Sequence, residues 1–200
     1  TELLVEEFLR RVRPGGEQPG ITVLDLCTGS GAVAVAVTRE LPACRVVGAD
    51  ICGQALKVAR RNAVRLGVEA KSRWVQSDLY SGLSAGGHAP ASFDFILCNP
   101  PYLSRREWEA LAPDIRGFEP AGALDGGPDG LDFYPRITAG ALYWLKPEGW
   151  LMMEIGAGQG DAVRRLTEAR RGYGPTTIRR DHSGRDRVVV VQKARQESHG

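Results

Sequence analysis

The sequence predicts an α/β protein built on a doubly wound, mainly parallel seven-stranded sheet with an antiparallel edge hairpin. Short apolar runs rich in β-branched residues alternate with segments of helical periodicity from the first residue to about Ala169. The last two runs, Thr176–Ile178 and Val188–Val191, are joined by a turn at His182-Ser183-Gly184. That link cannot hold a crossover helix, so the final pair must be antiparallel. Four segments able to do chemistry also fall at predicted carboxyl strand ends, which is where such sheets bind ligands.

Thr1 to Val12 places Leu3, Leu4, Phe8, Leu9 and Val12 at helical spacing, and Pro14-Gly15-Gly16 stops that helix. Ile21–Leu26 reads as a buried strand; Cys27-Thr28-Gly29-Ser30-Gly31 comes next, then a helix from Ala32 to about Leu41. The second strand, Arg45 to Ala49, ends at Asp50, and Gln54–Leu66 carries Ala55, Leu56, Ala59, Ala63 and Leu66 on one helical face. Arg73–Gln76 is a third strand leading to Ser77-Asp78-Leu79-Tyr80, and Ser81 to Ser92 is a Gly- and Ala-rich loop. Phe93–Cys98 is the fourth strand. Periodicity is poor from Leu103 to Asp129, which predicts a long irregular segment covering the site. A helix over Leu131–Leu145, a fifth strand over Gly149–Ile155 and a helix over Gln159–Ala169, with Ala162, Val163 and Leu166 inward, complete the pattern. One domain over residues 1–195 is expected, with a polar tail over 196–200.

Lys and Arg number 26 against 24 acidic residues, so the net charge of +2 does not mark a nucleic-acid surface. The Arg60-Arg61, Arg105-Arg106 and Arg170-Arg171 pairs read as solvated surface. No run reaches the roughly 18 apolar residues of a membrane span, and no basic-then-apolar leader opens the chain, so a cytoplasmic protein is expected. Cysteines 27, 44, 52 and 98 form no C-x-x-C pair and are expected to be small buried thiols. His88, His182 and His199 lie among Gly, Ser and charged neighbours and read as loop or tail residues; no metal site is expected.

Each candidate has its own chemistry. The Gly29 and Gly31 loop lets backbone approach a ligand and opens a helix, although loops of this kind also serve as plain tight turns. Asp50 suits a bidentate grip on ribose hydroxyls, or else a cap for the next helix. Asp78 could accept from an adenine amino group while the Leu79 N–H serves a ring nitrogen; the alternative is a surface turn. Together these residues describe a pocket for an adenosine without an obligatory phosphate. In Asn99-Pro100-Pro101-Tyr102 the prolines force an extended, stiff exit from the fourth strand. The Asn99 side-chain oxygen and the Pro100 carbonyl can then take the two N–H groups of a planar amide or amine, and the Tyr102 ring can lie on its face. A rigid surface turn is the alternative.

At these residues the chain resembles the class I S-adenosylmethionine-dependent methyltransferases, whose fold is Rossmann-like. It is more narrowly similar to the protein glutamine N5-methyltransferases of the HemK/PrmC type, which modify peptide chain release factors. Segments carrying the likeness are Thr1–Val5, Asp25–Gly31, Asn99–Tyr102, Glu119-Pro120, Ala123–Gly127 with Asp129–Leu131, and Gly184–Arg187. The resemblance implies methyl transfer from S-adenosyl-L-methionine, with S-adenosyl-L-homocysteine as product, to the glutamine of a release factor's Gly-Gly-Gln motif. The alternatives are a ribosomal-protein glutamine and a nucleic-acid exocyclic amine such as adenine N6. No direct nucleic-acid binding and no membrane are expected. It further implies that Asp25, Cys27, Thr28, Gly29, Ser30, Gly31, Asp50, Ile51, Asp78, Leu79 and Asn99 bind the cofactor. Asn99, Pro100, Pro101, Tyr102 and Glu119 would bind the substrate, with Asn99, Pro100 and Tyr102 catalytic. Cys27 departs from the Gly that the resemblance leads one to expect, and the family's small N-terminal helical docking domain is not expected among these 200 residues, which are then either a fragment or dock differently.

Overall fold

In the computed structural model, residues 1–12, 20–111 and 124–195 are described. Seven strands form one sheet: β1 (Thr22–Leu26), β2 (Arg45–Asp50), β3 (Ser72–Gln76), β4 (Phe93–Cys98), β5 (Leu145–Glu154), β6 (Thr177–Arg180) and β7 (Asp186–Gln192). Their order across the sheet is β3-β2-β1-β4-β5-β7-β6. β1 to β5 are parallel neighbours, and β7 runs antiparallel to both β5 and β6. The reversed strand thus lies inside the sheet, with β6 at the margin. A turn linking β6 and β7 forces them antiparallel, and the Val188–Val191 run, buried on both faces, takes the inner place.

Alternation along each strand sends apolar side chains to both faces. Leu24, Leu26, Ile96, Leu151, Met153, Val189 and Val191 pack with Tyr134, Ile137, Ala141 and Val163 of α5 (Phe133–Trp144) and α6 (Gly160–Glu168). On the opposite face Val23, Val46, Phe95, Leu97, Met152, Val188 and Val190 meet α1 (Glu2–Arg11) and α2 (Ala32–Glu40), with Phe8 edge-on to Phe95 at 4.9 Å. Ala63 of α3 (Gly53–Arg65) packs against Val35 of α2. Leu66, expected on the buried face of α3, caps the helix and is exposed.

The described ends of the region of poor periodicity, 103–111 and 124–129, carry more order than the sequence suggests, while 112–123, on which the expected cover of the site largely falls, lie outside the described residues. Ser104 and Glu107 form a capping box that opens α4 (Arg105–Glu109), and Leu103 bridges Asp125 in parallel pairing. β5 begins four residues earlier than the apolar run indicated, because Leu145 already pairs with Phe93 across a register shift. Arg170, read as solvated, donates from Nε to Thr138 Oγ1 and from Nη2 to the Pro135 carbonyl, so it ties the end of α6 to α5. Cys44 and Cys98 are buried as expected, but Cys52 is exposed at the start of α3. Among the described residues no helix is long and apolar enough to cross a membrane. The tail at 196–200 and His199 lie outside the described residues.

One feature of the core has no signature in the local sequence. Glu7 on α1 is 1% exposed, and its carboxylate accepts from Arg11 at 2.5 Å and from Arg179 of β6 at 2.8 Å, with Arg10 at 3.5 Å. This network pins the entry helix to the far edge of the sheet. Removing the anion leaves the arginines clustered without compensation. We expect Glu7→Gln to lower stability by about 2–4 kcal/mol, seen as a lower urea midpoint with an unchanged slope; an unchanged midpoint would show that the network is neutral.

Candidate active site

Parallel pairing in register brings the candidate residues together. Leu26 stands opposite Ala49 on one side and Cys98 on the other, and Asp50 stands opposite Gln76. Cys27, Asp50, Ser77 and Asn99, at or just past these strand ends, therefore line one sheet edge.

The loop after β1 is knotted from below. Asp25 Oδ2 accepts from Thr28 Oγ1 at 2.5 Å and from the Ala34 N–H at 3.1 Å, and Asp25 is buried. It sits beneath the loop, joining it to the first turn of α2, where the sequence reading put it among the cofactor contacts. Burial pushes its carboxyl up to about 7, against the lowering effect of the Thr28 and Ala34 hydrogen bonds. Thr28 is buried too and donates its N–H to the Ala49 carbonyl, so of the loop residues Cys27, Gly29 and Ser30 present the open surface. Gly31 adopts φ +81°, and a Cβ there would stand 2.9 Å from the Trp74 ring and 3.0 Å from Ala59. Only glycine meets both demands. Above Gly29, by contrast, no atom lies within 4 Å of where a Cβ would project, which leaves a backbone cradle.

Cys27 has φ +55°, in the left-handed region that favours glycine. A non-glycine residue there carries local strain of about 1 kcal/mol, which accords with the glycine that the resemblance leads one to expect. Packing of the side chain against the core beside Cys98 offsets it. Burial and the neighbouring Cys27 hold the Cys98 thiol well above its usual range, so it stays protonated.

Asp50 Oδ2 accepts from the Gly29 N–H and Oδ1 from the Cys52 N–H, both at 2.8 Å. The second bond closes the turn into α3, whose own N-cap is Cys52. Each oxygen keeps capacity for a further donor, so a vicinal diol fits. Ile51 beside it is 66% exposed, an apolar side chain placed for a flat ring to cover. Ser77 Oγ donates to the Leu79 carbonyl at 2.6 Å and accepts from the Gly82 N–H, folding 77–82 into a tight turn with Leu79 at φ +51°. The Leu79 N–H has no acceptor among the described residues. Asp78 lies at the surface, paired through Oδ2 with Arg136 at 2.7 Å, which leaves its Oδ1 without a partner among the described residues. Asp50, Ile51, Asp78 and the Leu79 N–H thus lie along one edge with polar positions left unpaired among the described residues.

At the end of β4, Asn99 Nδ2 donates to Thr1 Oγ1 at 3.1 Å, and its Oδ1 has no donor among the described residues. Pro100 and Pro101 are buried, and no donor among the described residues reaches the Pro100 carbonyl. Tyr102 is half-buried against the core; burial and the nearby Glu154 push its phenol up, Arg187 opposing, so its ring stays neutral. Glu119 lies outside the described residues. The sequence reading missed Gln159, whose side-chain amide bonds both the Tyr102 and the Gly130 carbonyls. A Gln at a helix start gives no local signal of contacts 57 and 29 residues away.

The Asp25 geometry yields a pH dependence. The folded state holds this proton more tightly than the unfolded chain, whose carboxyl titrates near 3.8, so its contribution is complete below about pH 4 and is lost as pH rises through about 7. Asp25→Asn keeps an acceptor without the ionisation. It should therefore lose less stability than the wild type between pH 4.5 and 8, measured by urea denaturation at each pH; parallel curves would remove Asp25 as the titrating group.

Residues 1–114 match the family model described as a methyltransferase small domain. Over 189 residues the chain is 41% identical to the release factor glutamine methyltransferase of Geobacter sulfurreducens, covering 94% of this chain and 62% of that protein. The protein of the same name from Cereibacter sphaeroides is 44% identical over 192 residues, covering 96% and 64%. That of Thermodesulfovibrio yellowstonii is 34% identical over 195 residues, covering 98% and 67%. The chain thus spans just under two thirds of the length of the first two relatives. Among solved structures, a methyltransferase from Pyrococcus furiosus superposes with a TM-score of 0.66 at 17% identity, covering 96% of this chain and 81% of that one. TrmN from Thermus thermophilus gives 0.62 at 23% identity, covering 96% and 48%. These likenesses show a class I methyltransferase fold. With a family model matching over half of its length and relatives of 34–44% identity over nearly all of it, the chain belongs to the methyltransferase small domain family and, within it, groups with the release factor glutamine methyltransferases.

Proposed function

We propose that this chain is the catalytic part of an enzyme that methylates the side-chain amide nitrogen of a glutamine, that of the Gly-Gly-Gln motif of a peptide chain release factor. The observation that carries the reading is the pair of acceptors without a donor among the described residues, Asn99 Oδ1 and the Pro100 carbonyl, on the same sheet edge as the Gly29 cradle and Asp50. The names of its relatives support the choice of protein substrate. S-adenosyl-L-methionine, when bound, supplies a methyl group made electrophilic by its sulfonium. Asp50 would hold the ribose, Ile51 and the Leu79 N–H the adenine, and the loop Cys27–Gly31 the methionine portion.

The protein's own task is then positioning. Asn99 Oδ1 and the Pro100 carbonyl accept the two N–H groups of the glutamine amide, which fixes its plane and directs the nitrogen at the methyl carbon. The same acceptors stabilise the positive charge that grows on nitrogen as the new N–C bond forms and the C–S bond breaks. The nitrogen becomes strongly acidic on alkylation, so its proton passes to water without a dedicated base. Tyr102, kept neutral, covers the amide face. Four free thiols accord with a reducing, cytoplasmic setting.

Transfer from labelled cofactor to release factor, large-subunit ribosomal protein, tRNA and DNA in parallel tests the reading: label in the release-factor glutamine is expected, and label in nucleic acid alone would sink it. Asn99→Ala should reduce turnover by about a hundred-fold or more while cofactor Kd stays within a few-fold. Asp50→Ala should weaken cofactor binding about ten-fold or more. Calorimetry with S-adenosyl-L-homocysteine separates the two, and reversal of the pattern would exchange the assigned roles.

A further inference from the structure

Beyond the acceptor pair, one side chain holds several non-regular segments in place. Gln159 closes the turn between β5 and α6, its backbone N–H donating to the Gly156 carbonyl at 3.1 Å while its Oε1 accepts from the Gly156 N–H at 2.8 Å. The fully buried Tyr134 hydroxyl stands 3.2 Å from the same Oε1 and 3.2 Å from the Glu154 carbonyl, so its one proton is shared between the two acceptors. Its Nε2 donates to the Tyr102 carbonyl at 2.9 Å and to the Gly130 carbonyl at 3.2 Å. Three hydrogen bonds and the shared Tyr134 hydroxyl thus surround the amide, and their chemistry fixes its orientation: two carbonyls face the nitrogen, and the Gly156 N–H faces the oxygen. Room for it is built in, since a Cβ at Gly130 would lie 2.5 Å from Nε2 and 2.3 Å from the Tyr102 carbonyl.

We propose that Gln159 is a positioning residue for methyl acceptance: by holding the Tyr102 carbonyl against Gly130, it sets the exit of the Asn99–Tyr102 segment and the 124–131 segment as one unit. This inference rests on the reading that Asn99 and Pro100 receive the acceptor amide. The physical reason is that neither segment has regular structure to fix it. Beyond Tyr102 the chain is tied to 124–127 by the Leu103–Leu124 and Gly126–Leu103 backbone bonds, and the Gln159 amide joins that pair to the sheet through Gly156 and Tyr134. None of these bonds touches the loop Cys27–Gly31, Asp50 or Leu79. Gln159 should therefore act on the acceptor and spare the cofactor.

The whole chain carrying Gln159→Glu, of equal shape, and Gln159→Asn, one methylene shorter, tests this. Glu presents a carboxylate to two carbonyls until it is protonated and regains one donor. We expect cofactor Kd within about three-fold of wild type, kcat/KM for the acceptor reduced about ten-fold or more in both variants, and faster amide exchange at Leu103 and Gly126 with β1 and β4 unchanged. The Gln159→Glu deficit should also shrink as pH falls from 8.5 to 6, which a loss of general stability would not produce. The rates are taken with whichever acceptor the wild type methylates, so failure of release factor as substrate discards the proposed function and leaves this test standing. Where no acceptor is methylated, exchange at Leu103 and Gly126 decides it. Unchanged exchange, or a loss of cofactor affinity as large as the loss in kcat/KM, overturns the proposal.

Discussion

Parallel pairing of β1 with β2 and β4 is the constraint on which the rest of this structure depends. With Leu26 opposite both Ala49 and Cys98, β1 and β4 end level and β2 one residue further on, and the loops leaving them meet at one edge. A slip of one residue in either pairing would turn Asp50 or Asn99 to the opposite face, and the buried alternation on both faces of the sheet opposes such a slip. The site is in this sense a by-product of core packing: Leu24 and Ile96 on one face, Val23 and Phe95 on the other, hold the register that aligns the polar residues beyond them.

On that frame the two halves of the edge are fastened differently. The half about Cys27–Gly31 is held by two carboxyl side chains, buried Asp25 from below and partly exposed Asp50 from the side. The half about Asn99–Tyr102 is held by proline stiffness and by the neutral amide of Gln159. Charge therefore lies beside the place proposed for ribose, and neutral acceptors lie beside the place proposed for the reacting nitrogen. Neutral acceptors suit a nitrogen that becomes cationic only in passing, because they gain from that charge without binding a cation in the resting state.

Much of this was legible in the sequence. Strand and helix alternation yields the sheet because parallel units are local, each built within a few tens of residues, and the edge residues come from strand ends. The Gly31 requirement could be suspected from the loop pattern alone, yet its second cause, the Trp74 ring, belongs to a different strand. Features that depend on distant partners were not legible. The buried Glu7 is explained by Arg179, 172 residues on. The placing of β7 inside β6, the role of Asp25 as an internal knot and the reach of Gln159 are all of this kind. Only α4 had a local sign that periodicity overlooked, the Ser104-x-x-Glu107 capping box.

The central claim is that one sheet edge carries two adjoining but separately built half-sites. A two-step NMR titration addresses it most directly: S-adenosyl-L-homocysteine first, then a Gly-Gly-Gln peptide. The first ligand is expected to shift the amides of Gly29, Ile51 and Leu79 while leaving Leu103 and Gly126 in place, and the peptide then to shift Tyr102, Leu103 and Gly126. A peptide footprint confined to the arginine-bearing face of α3, or a first ligand that moves neither Gly29 nor Leu79, would contradict it.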